Sequence, residues 1–169
     1  MLENIFLDYS VRKLRQNVDR IDKCLARLNE DQIWSRGHES ENAVGNLLLH
    51  LAGNVRQWII SGVGATPDTR DRDSEFNAQS GPSKAQLLAS LRGTVEEACQ
   101  VIEPLTPERL AVMVHIQKYD LSVLEAIYHV IEHFGHHTGQ IIFATKLLTG
   151  EELGFYTHLK RSAHSEKTP

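Results

Sequence analysis

The sequence predicts an all-α protein, a four-helix bundle with a long loop between the second and third helices. Four segments carry apolar residues at intervals of three and four, which is the spacing of one face of an α-helix. Strand signal is confined to one short stretch, and a chain of 169 residues suits one domain with a single core. We therefore expect residues 1–160 to form the bundle and residues 161–169 to be a polar, disordered tail.

The first predicted helix covers residues 4–28 and ends at the polar stretch that begins with Asn29. Its apolar positions are Leu7, Val11, Leu14, Val18, Ile21, Leu25 and Leu28. Because these positions repeat every three or four residues, they lie on one face of the helix, and that face would be buried against the rest of the bundle.

A second helix is predicted over residues 41–61, with Ser40 or Asn42 as the cap of its N-terminus. It contains His50 in the middle of an apolar run. Residues 62–82, which follow, are rich in glycine, proline and charged side chains, so they predict a long surface loop. A loop of this length is usually functional or mobile. We consider lining of a pocket, contact with a partner subunit and a simple solvated loop as alternatives for it.

The third predicted helix begins at the capping residue Ser83 and ends before Pro104. Between them, apolar residues again recur at helical spacing. Residues 111–119 then alternate apolar and polar side chains, and this pattern predicts a short extended segment on the way into the last helix.

The fourth predicted helix is capped by Asp120 or Ser122 and ends at Gly150. Gly135 and Gly139 lie four residues apart in its interior, where each costs about 1 kcal/mol relative to alanine. We interpret the pair as a place where another helix approaches closely, for example from a second subunit. A tolerated pair of glycines is the alternative.

Composition and charge exclude several classes of protein. The formal net charge is -4 and the basic residues are scattered, which argues against nucleic acid as a partner. No apolar run approaches the roughly 18 residues that a membrane span needs, and the N-terminus lacks the features of a signal peptide, so we expect a cytoplasmic protein that does not bind membranes. Cys24 and Cys99 are far apart in helical segments and are expected to be ordinary buried thiols.

Histidines are concentrated in the fourth predicted helix. His129, His133, His136 and His137 fall within about 100° of arc on an α-helix, beside the apolar face. His133 and His137 are one turn apart, a separation that two ligands of one ion can bridge. Neutral imidazole is the commonest side-chain ligand of transition metals, so the cluster predicts a metal site.

A third ligand must come from elsewhere in the chain. His50 is the best candidate because it interrupts an apolar run, where an unpaired polar side chain is costly to bury. His129 or His136 could instead replace one member of the set, or contact the substrate, or orient a ligand through a hydrogen bond.

Two stretches of the sequence then carry a resemblance to a known family. Residues 46–54, Asn-Leu-Leu-Leu-His-Leu-Ala-Gly-Asn, and residues 131–141, Ile-Glu-His-Phe-Gly-His-His-Thr-Gly-Gln-Ile, resemble the DinB-like (YfiT-like) superfamily of metal-binding four-helix bundles. The resemblance covers nearly the whole chain and implies a three-histidine metal site at His50, His133 and His137. It also implies a homodimer. Thr138 stands where the family often has arginine.

The resemblance implies a divalent transition-metal ion as cofactor, zinc or nickel in the first place and iron or manganese as alternatives. Members of the family include metal-dependent S-transferases that use low-molecular-weight thiols such as bacillithiol, mycothiol or glutathione. By analogy, the partners of this protein would be a small-molecule substrate and a thiol, which the ion would bind as thiolate. Further candidates for substrate contacts or for hydrogen bonds to the ligands are His129, Glu132, His136, Gln140 and Asn54.

Two other functions remain as alternatives to S-transfer. A hydrolase would use a metal-bound water as nucleophile, and a metal-binding or interaction module would hold the ion without catalysis. Residues 129–133 also match the pattern H-x-x-E-H of one class of zinc protease, but the short, polar C-terminal end offers little for the further carboxylate ligand of those enzymes. A di-iron site of the ferritin type fails, because neither Glu125 nor Glu132 is followed three residues later by histidine.

Overall fold

The computed structural model describes residues 2–160, and the predicted tail at residues 161–169 lies outside this range. Four long helices make up the bundle. They are α1 (Leu2–Leu25), α3 (Val44–Val55), α5 (Lys84–Ile102) and α7 (Val123–Thr149). Three short helices lie between them, α2 (Glu30–Trp34), α4 (Arg72–Asn77) and α6 (Pro107–Leu110). The predicted all-α bundle is confirmed, and a small two-stranded sheet accompanies it.

The first helix begins and ends earlier than predicted. α1 ends at Leu25, and the chain turns before Asn29 caps the separate helix α2 by accepting a hydrogen bond from the Gln32 amide. Asn29 was predicted only to end the first helix. The Asn and Gln side chains form a capping box, which satisfies amide groups at the start of the new helix.

The second predicted helix begins later and continues further than its sequence pattern indicates. Neither Ser40 nor Asn42 caps α3, because the N-cap is Ala43, whose amide donates to the Asn46 side chain at 3.0 Å. At its other end α3 passes directly into a π-helical segment, Arg56–Val63. A π-helical turn inserts extra backbone into a helix and is frequent at functional sites.

The predicted long loop does separate α3 with its π-helical extension from α5, but it is partly ordered as a helix. α4 lies inside it, capped by the Asp71 side chain, which accepts from the Ser74 amide at 3.2 Å. α4 packs against α3. The loop therefore folds back over the second long helix and does not simply bridge the bundle ends.

The predicted extended segment forms one strand of a hairpin. β1 (Met113–Ile116) pairs antiparallel with β2 (Tyr119–Ser122), and Gln117 in the connecting turn has a positive φ of 58°. The second strand was not predicted, because it has only four residues and two of them, Asp120 and Ser122, were interpreted as caps of the following helix.

The fourth helix has the predicted boundaries. Ser122 caps α7 in a capping box with Glu125, and Gly150 ends it in the left-handed conformation, with a φ of 69°. Apart from the neighbouring backbone of α7 itself, a Cβ atom added at Gly135 or Gly139 would meet no atom of the described residues within 4 Å. No other helix within residues 2–160 approaches these glycines, and approach by a second subunit remains a prediction.

The core runs the length of the bundle between the four long helices. Its largest fully buried side chains include Leu14, Ile21, Leu48, Leu51, Leu91, Ile127 and Phe134. Both cysteines are buried and unbridged, and burial raises the pKa of the Cys99 thiol to about 11. Within residues 2–160, no helix combines the length and the apolar character that crossing a membrane requires.

Candidate metal centre

Three imidazole rings from two helices converge at one point of the bundle. The Nε2 atom of His133 lies 3.0 Å from Nε2 of His50 and 3.2 Å from Nε2 of His137. One ligand atom from each ring lies within 4.8 Å of the other two, so the three histidines could hold a metal ion.

The packing of α3 against α7 produces this convergence. His133 and His137 are one turn apart on α7, so their rings point the same way from the helix. His50 projects from α3 across the helix interface, and its side chain is only 6% exposed. Its ring centroid lies 4.9 Å from the centroids of both His133 and His137. The apolar residues on either side of His50 fix the face of α3 that it occupies.

The hydrogen bonds at the far side of two rings indicate which ring nitrogens carry protons. His50 Nδ1 lies 3.0 Å from Oε2 of Glu75, and His137 Nδ1 lies 2.6 Å from Oε1 of Gln140. Both oxygens accept, so in the assignment that satisfies the network each Nδ1 donates its proton and each Nε2 keeps a free lone pair.

This assignment leaves the centre of the cluster short of hydrogen atoms. The neutral His133 ring can supply at most one proton at Nε2, and one proton can bridge to only one of the two neighbouring nitrogens. The lone pair of the other Nε2 would then face, at 3.0 or 3.2 Å, a ring nitrogen that offers it no proton. A cation at the centre removes this repulsion, and three neutral imidazoles are a donor set that transition metals accept. The residues therefore fit a divalent ion.

Burial keeps the imidazoles of His133 and His137 in the neutral form that binds metal. Burial, and after it the neighbouring rings, lowers the pKa of His133 to about 3. Burial is also the largest cause that lowers the pKa of His137, opposed by its hydrogen bond to Gln140. Proton loss therefore does not have to precede metal binding at neutral pH.

A buried ion pair contacts the His50 ring at Nδ1, the nitrogen that points away from His133 and His137. Arg70 donates from Nε to Oε1 of Glu75 at 2.7 Å and from Nη2 to Oε2 at 2.8 Å. The Nη2 atom also lies 3.1 Å from His50 Nδ1, and the Glu75 carboxylate, at 3.0 Å from the same Nδ1, is the acceptor to which the Nδ1–H is assigned. Burial alone would raise the pKa of Glu75, yet the hydrogen bonds from Arg70 and His50 outweigh burial and place it below its usual value. Glu75 is therefore an ionised acceptor that fixes the tautomer and orientation of His50.

The same ion pair connects the histidines to the hairpin. Arg70 Nη1 donates to Oε1 of Gln57 at 2.9 Å, and the Gln117 side chain donates to the same oxygen at 2.6 Å. A continuous network thus runs from His50 through Glu75 and Arg70 to the β-turn. The long loop between α3 and α5 is built into the site through these contacts.

A cavity of about 500 Å³ opens beside the histidines. Its lining residues are His50, Asn54, Trp58, Arg70, Arg72, Gln117, Tyr119, Asp120, Leu121, Glu125, His129 and His133. Its volume lies within the usual range of small-molecule sites. Three protein ligands next to an open cavity match the catalytic type of metal site, whereas structural sites are closed by a fourth protein ligand.

Two of the further candidate residues on α7 differ in position. His129 is half-buried, lines the cavity, and stacks on Trp58 with ring centroids 4.1 Å apart. Burial lowers the pKa of His129, although nearby Glu132 raises it. Glu132 itself is exposed and is not among the residues that line the cavity.

The other three candidates also differ in their positions relative to the three histidines and the cavity. His136 is exposed and lies outside the group of three converging histidines. Gln140 accepts from His137 on the outer side of the ring. Asn54 is buried, lines the cavity one turn after His50, and its Oδ1 atom has no hydrogen-bond partner within residues 2–160.

Sequence reasoning missed Arg70 and Glu75, the residues that support His50. Both lie in the loop for which lining of a pocket was one of three alternatives. The available signal was the buried histidine itself, since a buried imidazole needs a partner for its second nitrogen. Alternating acids and bases around residues 68–75 gave no way to select which pair would supply it.

Comparison with known proteins agrees with this architecture. The sequence matches a family model described as "Protein of unknown function (DUF1572)" over residues 2–160. A conserved protein from Enterococcus faecalis has a similar structure, with a TM-score of 0.75 and 15% identity, over 85% of this chain and 97% of that chain. The DinB-like protein YjoA from Bacillus subtilis is similar with a TM-score of 0.66 and 16% identity, over 88% of this chain and 97% of that chain.

At such low identity, the similarity to solved structures demonstrates the fold alone. No curated protein matches the sequence. The family model, in contrast, covers nearly all of the chain. The chain therefore belongs to the DinB-like family described as "Protein of unknown function (DUF1572)".

Proposed function

We propose that His50, His133 and His137 bind one divalent transition-metal ion and that the protein is a metal-dependent enzyme that transfers groups to or from a low-molecular-weight thiol. Zinc or nickel is the expected ion, with iron or manganese as alternatives, because three-histidine sites accept several first-row metals. The observation that carries the proposal is the convergence of three Nε2 atoms beside an open cavity of about 500 Å³.

The charge of the site favours an anionic partner for the ion. Its three proposed ligands are neutral, so two positive charges remain, and the ionised Glu75 is already paired with Arg70. A bound divalent ion lowers the pKa of a thiol or water at its open position. A thiolate would bring the missing negative charge.

The thiol reaction needs little proton transfer from the protein. The thiol loses its proton to solvent, its sulfur forms a bond to an electrophilic carbon, and the leaving group departs with the bonding electron pair. Hydrolysis would benefit from a general base. Among the described residues, Glu75 is engaged by Arg70 and His50, and Glu132 is exposed and outside the cavity lining. Of the other candidate bases, which do line the cavity, Asp120 is paired with His115, Glu125 accepts from Ser122, and the His129 ring packs against Trp58. The thiol reaction is therefore the better match to the side chains around the three histidines.

We also propose that Asn54 orients His133. Glu75 and Gln140 hold the other two imidazoles, while Nδ1 of His133 is buried and has no partner among the residues that the structure describes. Oδ1 of Asn54 is the one buried side-chain acceptor without a partner in residues 2–160, and it lines the same cavity. A hydrogen bond from Nδ1 of His133 to Oδ1 of Asn54 would give each of the three imidazoles a partner on the side away from the ion.

The Asn54→Leu variant should bind zinc roughly 10- to 100-fold more weakly, as is typical when a hydrogen bond to a ligand is lost. Titration calorimetry on metal-free protein measures the affinity, and Asn54→Asp, which keeps the acceptor, should recover most of it. The nitrogen chemical shifts of His133 should report a hydrogen-bonded Nδ1–H in the zinc-loaded wild type. Unchanged affinity in Asn54→Leu would refute this role.

Thiol dependence can be tested with the zinc- or nickel-loaded protein and an electrophilic probe such as monobromobimane. We expect bimane conjugation to exceed the uncatalysed rate only when a thiol such as glutathione or bacillithiol is added, and to vanish in His137→Ala. A hydrolytic function would instead give turnover of ester substrates without any thiol. Tight metal binding with no turnover of either kind would identify a metal-binding module and overturn the proposal.

A further inference from the structure

One wall of the cavity beside the histidines consists of aromatic rings. Trp58 comes from the π-helical segment after α3, Tyr119 from β2 and His129 from α7. The centroids of Trp58 and His129 are 4.1 Å apart with an interplanar angle of 36°, and those of Trp58 and Tyr119 are 6.2 Å apart at 35°. We call these three residues the aromatic wall.

The distance between the Trp58 and Tyr119 rings of the aromatic wall suits a flat ligand bound between them. A ring inserted between Trp58 and Tyr119 needs two contact layers of about 3.5 Å each, slightly more than the present distance. Tyr119 is 60% exposed and stands at the end of the hairpin next to the turn, so a small shift of its ring would provide the room. Trp58, at 4% exposure, is held by the core and would form the fixed side.

The indole N–H of Trp58 indicates that the ligand carries a hydrogen-bond acceptor. The indole Nε1 of Trp58 is buried and finds no partner anywhere in residues 2–160, although Trp58 lines the cavity. Buried N–H groups without partners are rare and costly. A ligand that stacks on the aromatic wall and presents an oxygen acceptor at its edge would satisfy this donor.

The charges around the cavity argue against a strongly anionic guest such as a phosphate ester. Arg70 is neutralised by Glu75. Arg72 is the other cation in the lining, and it is outnumbered by the carboxylates of Asp120 and Glu125. The cavity therefore has no surplus positive charge of its own to recognise phosphate.

From this geometry we infer that the aromatic wall binds the second substrate, and that this substrate is a flat, uncharged, conjugated molecule with a carbonyl or similar acceptor at its edge. The inference rests on the proposed function, because it places the guest next to the ion and the thiol. It adds the chemical class of the molecule that reacts with the thiol.

Binding can be measured without turnover by using coumarin, which is flat, uncharged and carries a lactone carbonyl. In the zinc-loaded protein the two indole N–H signals in a proton–nitrogen NMR spectrum belong to Trp34 and Trp58, and a Trp34→Phe variant assigns them. We expect the Trp58 signal to shift in a saturable way with coumarin, while the Trp34 signal stays in place. Cyclohexanone, which has a carbonyl but is not flat, should cause no saturable shift.

Variants separate the aromatic wall from a general effect on the protein. Loss of one stacking partner in Tyr119→Ala should weaken coumarin binding roughly 3- to 10-fold. Tyr156→Ala is the matched control, because Tyr156 is also 60% exposed and is not part of the cavity lining. It should bind as the wild type does.

The outcomes also distinguish the two proposals. Thiol-dependent turnover without a saturable shift of Trp58, or equal coumarin affinity in Tyr119→Ala and wild type, would overturn the aromatic subsite. Saturable binding that depends on Tyr119, combined with no thiol-dependent turnover of any flat electrophile, would support the subsite and overturn the transferase function.

Discussion

Replacement of His133 by alanine should abolish high-affinity metal binding. His133 is the central member of the cluster, since its Nε2 lies near 3 Å from Nε2 of both His50 and His137. Loss of a hydrogen bond behind a ligand already costs roughly 10- to 100-fold in affinity, so removal of the ligand itself should cost more than about 100-fold. Elemental analysis after dialysis and calorimetric titration of the metal-free protein measure this loss.

His136→Ala is the matched control for this experiment. His136 is a histidine of the same helix and directly precedes His137, but it is exposed and lies outside the converging group. The control should keep wild-type metal content, and both variants should keep the helical circular dichroism of the wild type. Equal metal content in His133→Ala and His136→Ala would show that the ion, if bound, is held elsewhere.

The fold was predictable from the sequence because its four long helices each bury a continuous apolar face. The cap at Ser83 and the stop at Gly150 were also readable, and Ser122 was one of two candidates for the cap of α7, since each uses local chemistry that the sequence displays directly. The cap of α3 was not. Ala43 offers no side-chain acceptor, and Asn46, three residues inside the helix, accepts from its amide.

The convergence of His50 with His133 and His137 follows from helix periodicity together with the cost of burying a lone imidazole. The contribution of the loop to the site follows neither from helix periodicity nor from the cost of burying an imidazole. Arg70 and Glu75 reach the site only because α4 folds back onto α3, a tertiary contact with no local sequence signal. The stacking of His129 on Trp58 likewise depends on the π-helical segment, whose extra backbone per turn changes the direction of side chains after Val55.

Replacement of Arg70 by methionine should give the largest loss of stability among the residues around the site. The Arg70 and Glu75 side chains are 3% and 8% exposed and form two hydrogen bonds of 2.7 and 2.8 Å. Removal of one partner of a buried ion pair leaves an uncompensated buried charge, which typically costs 3–5 kcal/mol, and we expect a loss of about this size. Guanidinium denaturation of the metal-free protein measures it without any contribution from metal binding.

Arg72→Met is the matched control, because Arg72 lies two residues further along the same loop and is exposed. Its guanidinium contacts the Phe76 ring at 4.8 Å, a contact worth about 0.5–1 kcal/mol at an exposed position. If both variants lost the same free energy of unfolding, the ion pair would not be the reason for the stability of the loop. Arg70→Met should also weaken zinc binding where Arg72→Met does not, because an unpaired Glu75 no longer holds His50 in the orientation that directs its Nε2 atom towards His133.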